Sequence, residues 1–239
     1  AGAAAAGTGV VINLPQANSP PQSPLEAEGC AAIVAASQGG KGDKDSDRDG
    51  LADRYDAAPK DAAEFARDAD GDGRFEICSI PQFQAIQVLG TVEGTKAGIS
   101  PEQRLARNYE LVQDLDAGGF EGWRPIGSCG PQNSCMIAGD KFGFGGFFDG
   151  NGHVVRNLVV KQPELSGVGL FGVVARTGSL GNIALANADV NGMGGVGIVV
   201  GVNFGKVFRC SAEGKASGNR GVAGIMGANA GGMFDCHAR

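Results

Sequence analysis

Residues Gly195–Cys210 (GVGIVVGVNFGKVFRC) and Gly221–Cys236 (GVAGIMGANAGGMFDC) are two copies of one frame, offset by 26, with seven of sixteen positions identical. The shared residues are Gly, Val, Gly, Asn, Gly, Phe and Cys. An earlier copy, from Gly169-Leu-Phe-Gly172 to Ile183, fits the frame with two extra residues before Gly178. Aligned this way, Phe171, Val200 and Met226 form one column, and Leu180, Val207 and Met233 a second. Ile183, Cys210 and Cys236 form a third. A period in the twenties, short apolar runs and glycine at the corners predict stacked coils. A coil this thin cannot bury its own apolar face, so it must lie on its neighbour. The pattern therefore predicts a mainly β fold, a β-solenoid (β-helix), and apolar columns kept in register weigh against a merely low-complexity segment.

The rest of the composition agrees. Forty-two glycines with only 6% aromatics argue against a conventional globular core. A net charge of −6 weighs against a nucleic-acid or anionic-membrane partner. No run reaches the roughly 18 apolar residues that would span a bilayer. The six cysteines are even in number and lack a paired CxxC, which points to an oxidising compartment and a secreted or cell-surface chain. The start at Ala1 rather than Met fits a removed leader or a piece of a longer chain. Among the possible pairings, Cys210–Cys236 is expected from equivalent places in successive coils. Cys129–Cys135 would close a local loop, GPQNS, and Cys30–Cys78 would clamp the segment between them.

Four regions follow along the chain. Residues 1–40 are an N-terminal arm: a β-rich strand, Thr8–Leu14 (TGVVINL), then a proline-rich tether at 15–24 and a short helix within 26–37. Residues 41–79 are an acidic module. Residues 80–107 are a helical connector, in which Ser79 is the expected N-cap of a helix with Phe83, Ile86 and Leu89 on one face, and Ser100 with Gln103 makes a capping box for a second helix through Ala106. Residues 108–239 are the solenoid. Tyr109–Leu115, Trp123–Ile126, Phe142–Phe148 and Val154–Val160 read as strands, and Asp149-Gly-Asn-Gly152 as a tight turn.

The acidic module carries the sharpest chemistry. Asp45, Asp47, Asp49, Asp53 and Asp56 stand at positions 1, 3, 5, 9 and 12 of a loop with Gly50 at 6. Asp68, Asp70, Asp72 and Glu76 repeat positions 1, 3, 5 and 9 with Gly73 at 6, starting 23 residues later. A hard divalent cation takes six to eight oxygens around a tightly turned loop, and the larger, less rigid coordination favours Ca²⁺ over Mg²⁺. The second loop departs from the pattern at position 12, where Ser79 stands.

DSDRDGLADRYD resembles the calcium repeat of thrombospondin type 3 modules and their bacterial relatives. That resemblance implies Asp45, Asp47, Asp49, Asp53 and Asp56 as ligands of a first site, and Asp68, Asp70, Asp72 and Glu76 as ligands of a second. The order of acidic loop, short helix, YELVQDLD, WRPIG, FDGNGHVVRNLVV and glycine-framed repeats is similar to bacterial surface proteins with the GLUG motif. GLFG at 169–172 and the two later VxG-x-N-x-G units carry that likeness, from roughly Asp68 onward. It implies export, calcium association, and a part in adhesion or large surface assemblies. Such a motif specifies a scaffold more firmly than an activity.

Catalytic readings find little support. His153 follows a turn glycine and His237 lies two residues before Arg239, neither with a nucleophile in a recognisable frame. GFGGFFDG at 143–150 lacks the Lys-Ser/Thr and following helix of a phosphate loop. A polysaccharide-cleaving β-helix needs carboxylates converging in a groove. Asp189, Glu213, Lys215 and Arg220 offer the groups but not at matching repeat positions. The expectation is a non-enzymatic, calcium-stabilised subunit of a surface filament or adhesive assembly. The alternative is a glycan-binding surface module, for which Trp123, Tyr109 and Tyr55 are the only Trp and Tyr residues. Thr8–Leu14, a strand with no local partner, is expected to add to the solenoid of another copy and build a fibre.

Overall fold

The computed structural model of the chain describes residues 30, 66, 68–87 and 100–239. The strand expected at 8–14, the tether, the helix at 26–37 apart from Cys30, and the first acidic loop lie outside the described residues. So does Leu89.

The N-terminal part contributes β1 (Phe75–Ile77), α1 (Ile80–Ala85), α2 (Pro101–Ala106), β2 (Tyr109–Leu111), β3 (Leu115–Asp116) and α3 (Cys135–Phe142). The coils then follow: β4 (Phe147–Asp149), β5 (Val154–Arg156), β6 (Val159–Val168) and β7 (Phe171–Val174) make the first. The second is β8 (Ser179–Gly181), β9 (Ala184–Gly197) and β10 (Val200–Asn203). The third is β11 (Lys206–Phe208), β12 (Ser211–Ser217), β13 (Arg220–Ala223) and β14 (Met226–Asn229), and β15 (Gly232–Phe234) with β16 (His237–Ala238) continues the stack. The result is a mainly β solenoid of about three turns with a few short helices.

Three parallel sheets form its walls. The first is ordered β1-β2-β4-β8-β11-β15, the second β14-β10-β7, and the third β16-β12-β9-β5-β3, with β6 and β13 also paired to β9. The columns expected from the repeat are present. Val200 is the register partner of both Phe171 and Met226, and Val207 of both Leu180 and Met233. The second of these columns continues backward through Phe148, Tyr109 and Phe75.

Five of the seven shared residues hold corners or contacts between coils. Gly195 and Gly221 turn the chain at φ +58° and +60°, a region that side chains with a Cβ resist. Gly201 and Gly227 lie where coils meet backbone to backbone: a Cβ on Gly201 would stand 2.3 Å from the carbonyl carbon of Gly167. Asn203, fully buried, accepts from the Gly205 N–H at 3.0 Å and donates to Asn229 Oδ1 at 2.9 Å, closing a corner and linking two coils at once. Cys210 fills the apolar column at the next corner.

The stack is covered at its N-terminal end by α1. Ser79 Oγ accepts from the Gln82 N–H at 3.3 Å, with Pro81 in the first turn, so the helix begins where the cap was expected. Its Phe83 lies parallel to Phe148, with centroids 4.8 Å apart, and meets Trp123 edge-on at 5.4 Å. Such aromatic pairs add about 0.5–1.5 kcal/mol each beyond the area they bury. The capping box of α2 has both halves, Gln103 N–H to Ser100 Oγ and Ser100 N–H to Gln103 Oε1.

Several expectations are corrected here. Tyr109–Leu115 is two strands, not one, because the chain bends at a corner between β2 and β3. Trp123–Ile126 makes only an isolated bridge, Ile126 to Phe171, and Phe144 only another, to Val174. Between those bridges the chain leaves the coil for the Cys129–Cys135 loop and α3, so Phe142 ends a helix rather than starting a strand. The disulfides Cys30–Cys78 and Cys129–Cys135 are formed, but Cys210 and Cys236 are free thiols. Neighbours in a parallel column point the same way at the strand spacing of about 4.8 Å, whereas a disulfide needs its Cβ atoms about 3.5–4.5 Å apart.

Candidate metal centre

The second acidic loop is folded on its own carboxylates. Asp68 Oδ1 accepts from the Gly71 N–H at 2.8 Å and Oδ2 from the Gly73 N–H at 3.0 Å, so position 1 holds the turn made by the glycine at position 6. Gly71 and Gly73 take φ +78° and +88°, which allows the backbone to wrap the acidic side chains. Glu76, in β1, is buried, and its Oε1 accepts from the Ala69 N–H at 2.6 Å. Asp68, Asp70 and Glu76 each bring one carboxylate oxygen within 4.8 Å of the others. Two oxygens on one Ca²⁺ can be no farther apart than twice the bond length, about 5 Å, so the trio fits such an ion.

Burial pushes the Glu76 carboxyl above its ordinary range, the Ala69 N–H pulls it back, and the charges of Asp68 and Asp70 push it up again. A carboxyl raised in this way is relieved by a cation. Asp72 is not brought into the trio. Its carboxylate pairs with the Arg74 guanidinium, and Arg74 also reaches Glu110 at 3.3 Å and Asp149 at 3.1 Å. Glu76, Glu110 and Asp149 are register partners on consecutive strands of the first sheet, so Arg74 lies beside a column of three acids. Ser79, at position 12, is engaged as the N-cap of α1, which explains the departure from the loop pattern. The oxygens of Asp45, Asp47, Asp49, Asp53 and Asp56 lie outside the described residues.

The other candidates fall elsewhere. Asp189 and Lys215 are register partners after all, because a bulge between Ala212 and Gly214 shifts β12 by one residue; both are exposed on the third sheet. His153 Nδ1 lies 3.4 Å from Asp114 Oδ1. Burial pushes Asp114 up, but the Val154 N–H, Arg156 and His153 outweigh it and hold the carboxyl below its ordinary range. Trp123 and Tyr109 are fully buried, which removes them as surface ligand contacts. A cavity of about 940 Å³, lined by Leu105, Pro125, Phe142 and Leu165 among others, was not legible in the sequence. It is formed between α2, α3 and β6, elements far apart along the chain.

No family model matches the chain. It is 30% identical over 147 residues to Halomucin of Haloquadratum walsbyi, an alignment covering 61% of this chain and 2% of that protein. It is 28% identical over 113 residues to a protein of Evansella cellulosilytica named "Putative Gly-rich membrane protein", covering 46% of this chain and 12% of the other. The chain thus spans only a small part of the length of these relatives. Among solved structures, a "putative immunoglobulin A1 protease" from Bacteroides ovatus is similar at a TM-score of 0.45 and 19% identity, over 69% of this chain and 56% of that one.

Proposed function

We propose that this chain is a structural segment of an extracellular surface assembly, a β-solenoid whose N-terminal end is held by calcium. The observation that carries the reading is the junction at β1. Glu76 is at once the ninth position of the acidic loop and the register partner of Glu110 in the first sheet. Drawing Asp68, Asp70 and Glu76 onto one ion would therefore set the position of β1 on the stack. Calcium supplies charge to neutralise three close carboxylates; the chain supplies the turn, through Gly71 and Gly73, and the anchoring strand. The two disulfides support the extracellular setting. The likenesses to GLUG-motif surface proteins and to thrombospondin type 3 repeats belong to this proposal, as do the first-loop ligands and the donation of Thr8–Leu14 to a neighbouring copy. Catalysis is not part of it: the Asp189–Lys215 pair is exposed on a sheet face.

Calorimetry should find about two calcium ions per chain, from the two loops. Replacing Asp68 and Asp70 by Asn should remove one of them, and chelation should lower the melting temperature. A protein with no heat of binding and an unchanged melting temperature would refute the calcium reading. Electron microscopy should show fibres with calcium that disappear when residues 1–24 are deleted. A truncated chain that still polymerises would refute strand donation.

A further inference from the structure

The outer face of the first sheet changes character along the stack. One outward column runs Glu76, Glu110, Asp149, Gly181, Phe208, Phe234, and the adjacent one Phe147, Ser179, Lys206, Gly232. In the first of these columns the acids lie at the end near the metal loop and the aromatics at the other, while Phe147 of the second column shares β4 with Asp149. Phe208 and Phe234 occupy the same position of the repeat, and Phe234 is 60% exposed.

The rings lie down rather than stand up. A Cβ on Gly181 would come within 2.5 Å of the Phe208 ring, and one on Gly232 within 2.8 Å of the Phe234 ring. Glycine at those two places gives each ring a flat floor. The Phe147 and Phe208 rings are nearly parallel, 9° apart, with centroids separated by 6.3 Å across the intervening strand. Beside them Lys206 is exposed, and the Arg209 guanidinium stands 5.3 Å from the centroid of Phe208. On a chain of net charge −6 this is a local cationic strip, bounded by Asp235 at the corner equivalent to Arg209 in the next coil.

We propose that this face is a binding platform for an acidic polysaccharide, with sugar rings lying on Phe147, Phe208 and Phe234 and sugar carboxylates meeting Lys206 and Arg209. An aromatic face is electron-rich and attracts the polarised axial C–H groups of a pyranose. A pyranose unit is nearly as long as one strand spacing, about 4.8 Å, so a glycan running up the stack meets one coil per sugar. Two cations among apolar rings suit a chain with an apolar ring face and a carboxylate. They suit less well a nucleic acid, whose phosphate at every residue would also meet the overall negative charge.

The test is fluorescence anisotropy with labelled oligogalacturonate too short to gel with calcium. A neutral oligogalactose and an oligodeoxythymidine of the same length are run beside it. The oligouronate should bind, weaken as salt is raised, and outcompete both others. Phe208→Ala should weaken binding about tenfold. The double variant Lys206→Gln with Arg209→Asn should lose the preference for the acidic sugar. The emission of Trp123, the single tryptophan and fully buried, reports whether each variant is folded. If Phe208→Ala unfolds, the exposed double variant decides. The proposal is overturned if the native chain does not bind oligouronate, or binds the neutral sugar equally or the thymidine more tightly. Variants that bind as the native chain does overturn it too.

Discussion

Cys236 and Cys210 hold one repeat position in two environments. Cys210 is buried, whereas Cys236, one coil further on, is half-buried. The neighbouring Cys210 thiol lowers Cys236 to about 7, against an opposing push from burial. The same neighbour, with burial adding to it, drives Cys210 far above its ordinary value, and the Cys210 Sγ–H donates to the Phe208 carbonyl at 3.3 Å. The thiolate is the reactive form. Iodoacetamide at neutral pH is therefore expected to label Cys236 in the native protein and to spare Cys210 until the chain is unfolded. Peptide mapping by mass spectrometry would read this directly, and equal native labelling of both would contradict it.

At the scale of elements, α1 is short, and its cap and its packing carry it. Six residues are too few for a helix to persist in water by propensity alone. Phe83 supplies the packing: it is fully buried and touches the rings of Phe148, Trp123 and Phe171. Phe83→Ala should cost about 3–5 kcal/mol, the usual range for a buried phenylalanine. The loss should appear as a lower denaturation midpoint and a red-shifted Trp123 emission. A variant within experimental error of the native midpoint would show that α1 does not close the stack. Exposed α2 positions such as Glu102 lack such contacts and should tolerate alanine with little change.

Over the whole molecule, stability should be uneven. The repeated coils stack column on column, while β1 is an outer strand of three residues tied to an acidic loop. Chelation should therefore expose amides of 68–77 to hydrogen exchange and leave β8 to β12 protected. The pH dependence follows from Glu76, whose carboxyl is raised above its ordinary 4.5 by burial first. A raised carboxyl stabilises the fold below its unfolded value, and that contribution is lost as pH climbs through the folded value. In chelator, native stability should thus fall relative to Glu76→Gln as pH rises from about 4.5. On the proposed calcium reading the sign should reverse once the ion is added, because only the ionised carboxylate is a ligand. Melting temperatures of the two proteins across pH, with and without calcium, test both arms.

Sequence alone determines the solenoid and its columns, because in parallel stacking equivalent positions of the repeat become neighbours in space. Val200 with Met226, Asn203 with Asn229 and Cys210 with Cys236 could all be read this way. So could the local devices, the Ser79 cap and the Ser100–Gln103 box, whose partners lie within three residues. The acidic loop was legible as a spacing of carboxylates. That Asp72 turns away was not, since Arg74 is drawn to Asp149, 75 positions on. The α3 excursion and the Asp189–Lys215 register were hidden for a related reason: an insertion and a one-residue bulge break the period that made the rest readable. The shared Phe of the frame lay between the two cases. Its recurrence is visible in the sequence, and its neighbours Val207 and Met233 face the core column, so alternation turns it outward. That it lies flat beside Phe147 was decided only by the tertiary structure, which places glycine beneath the rings of Phe208 and Phe234.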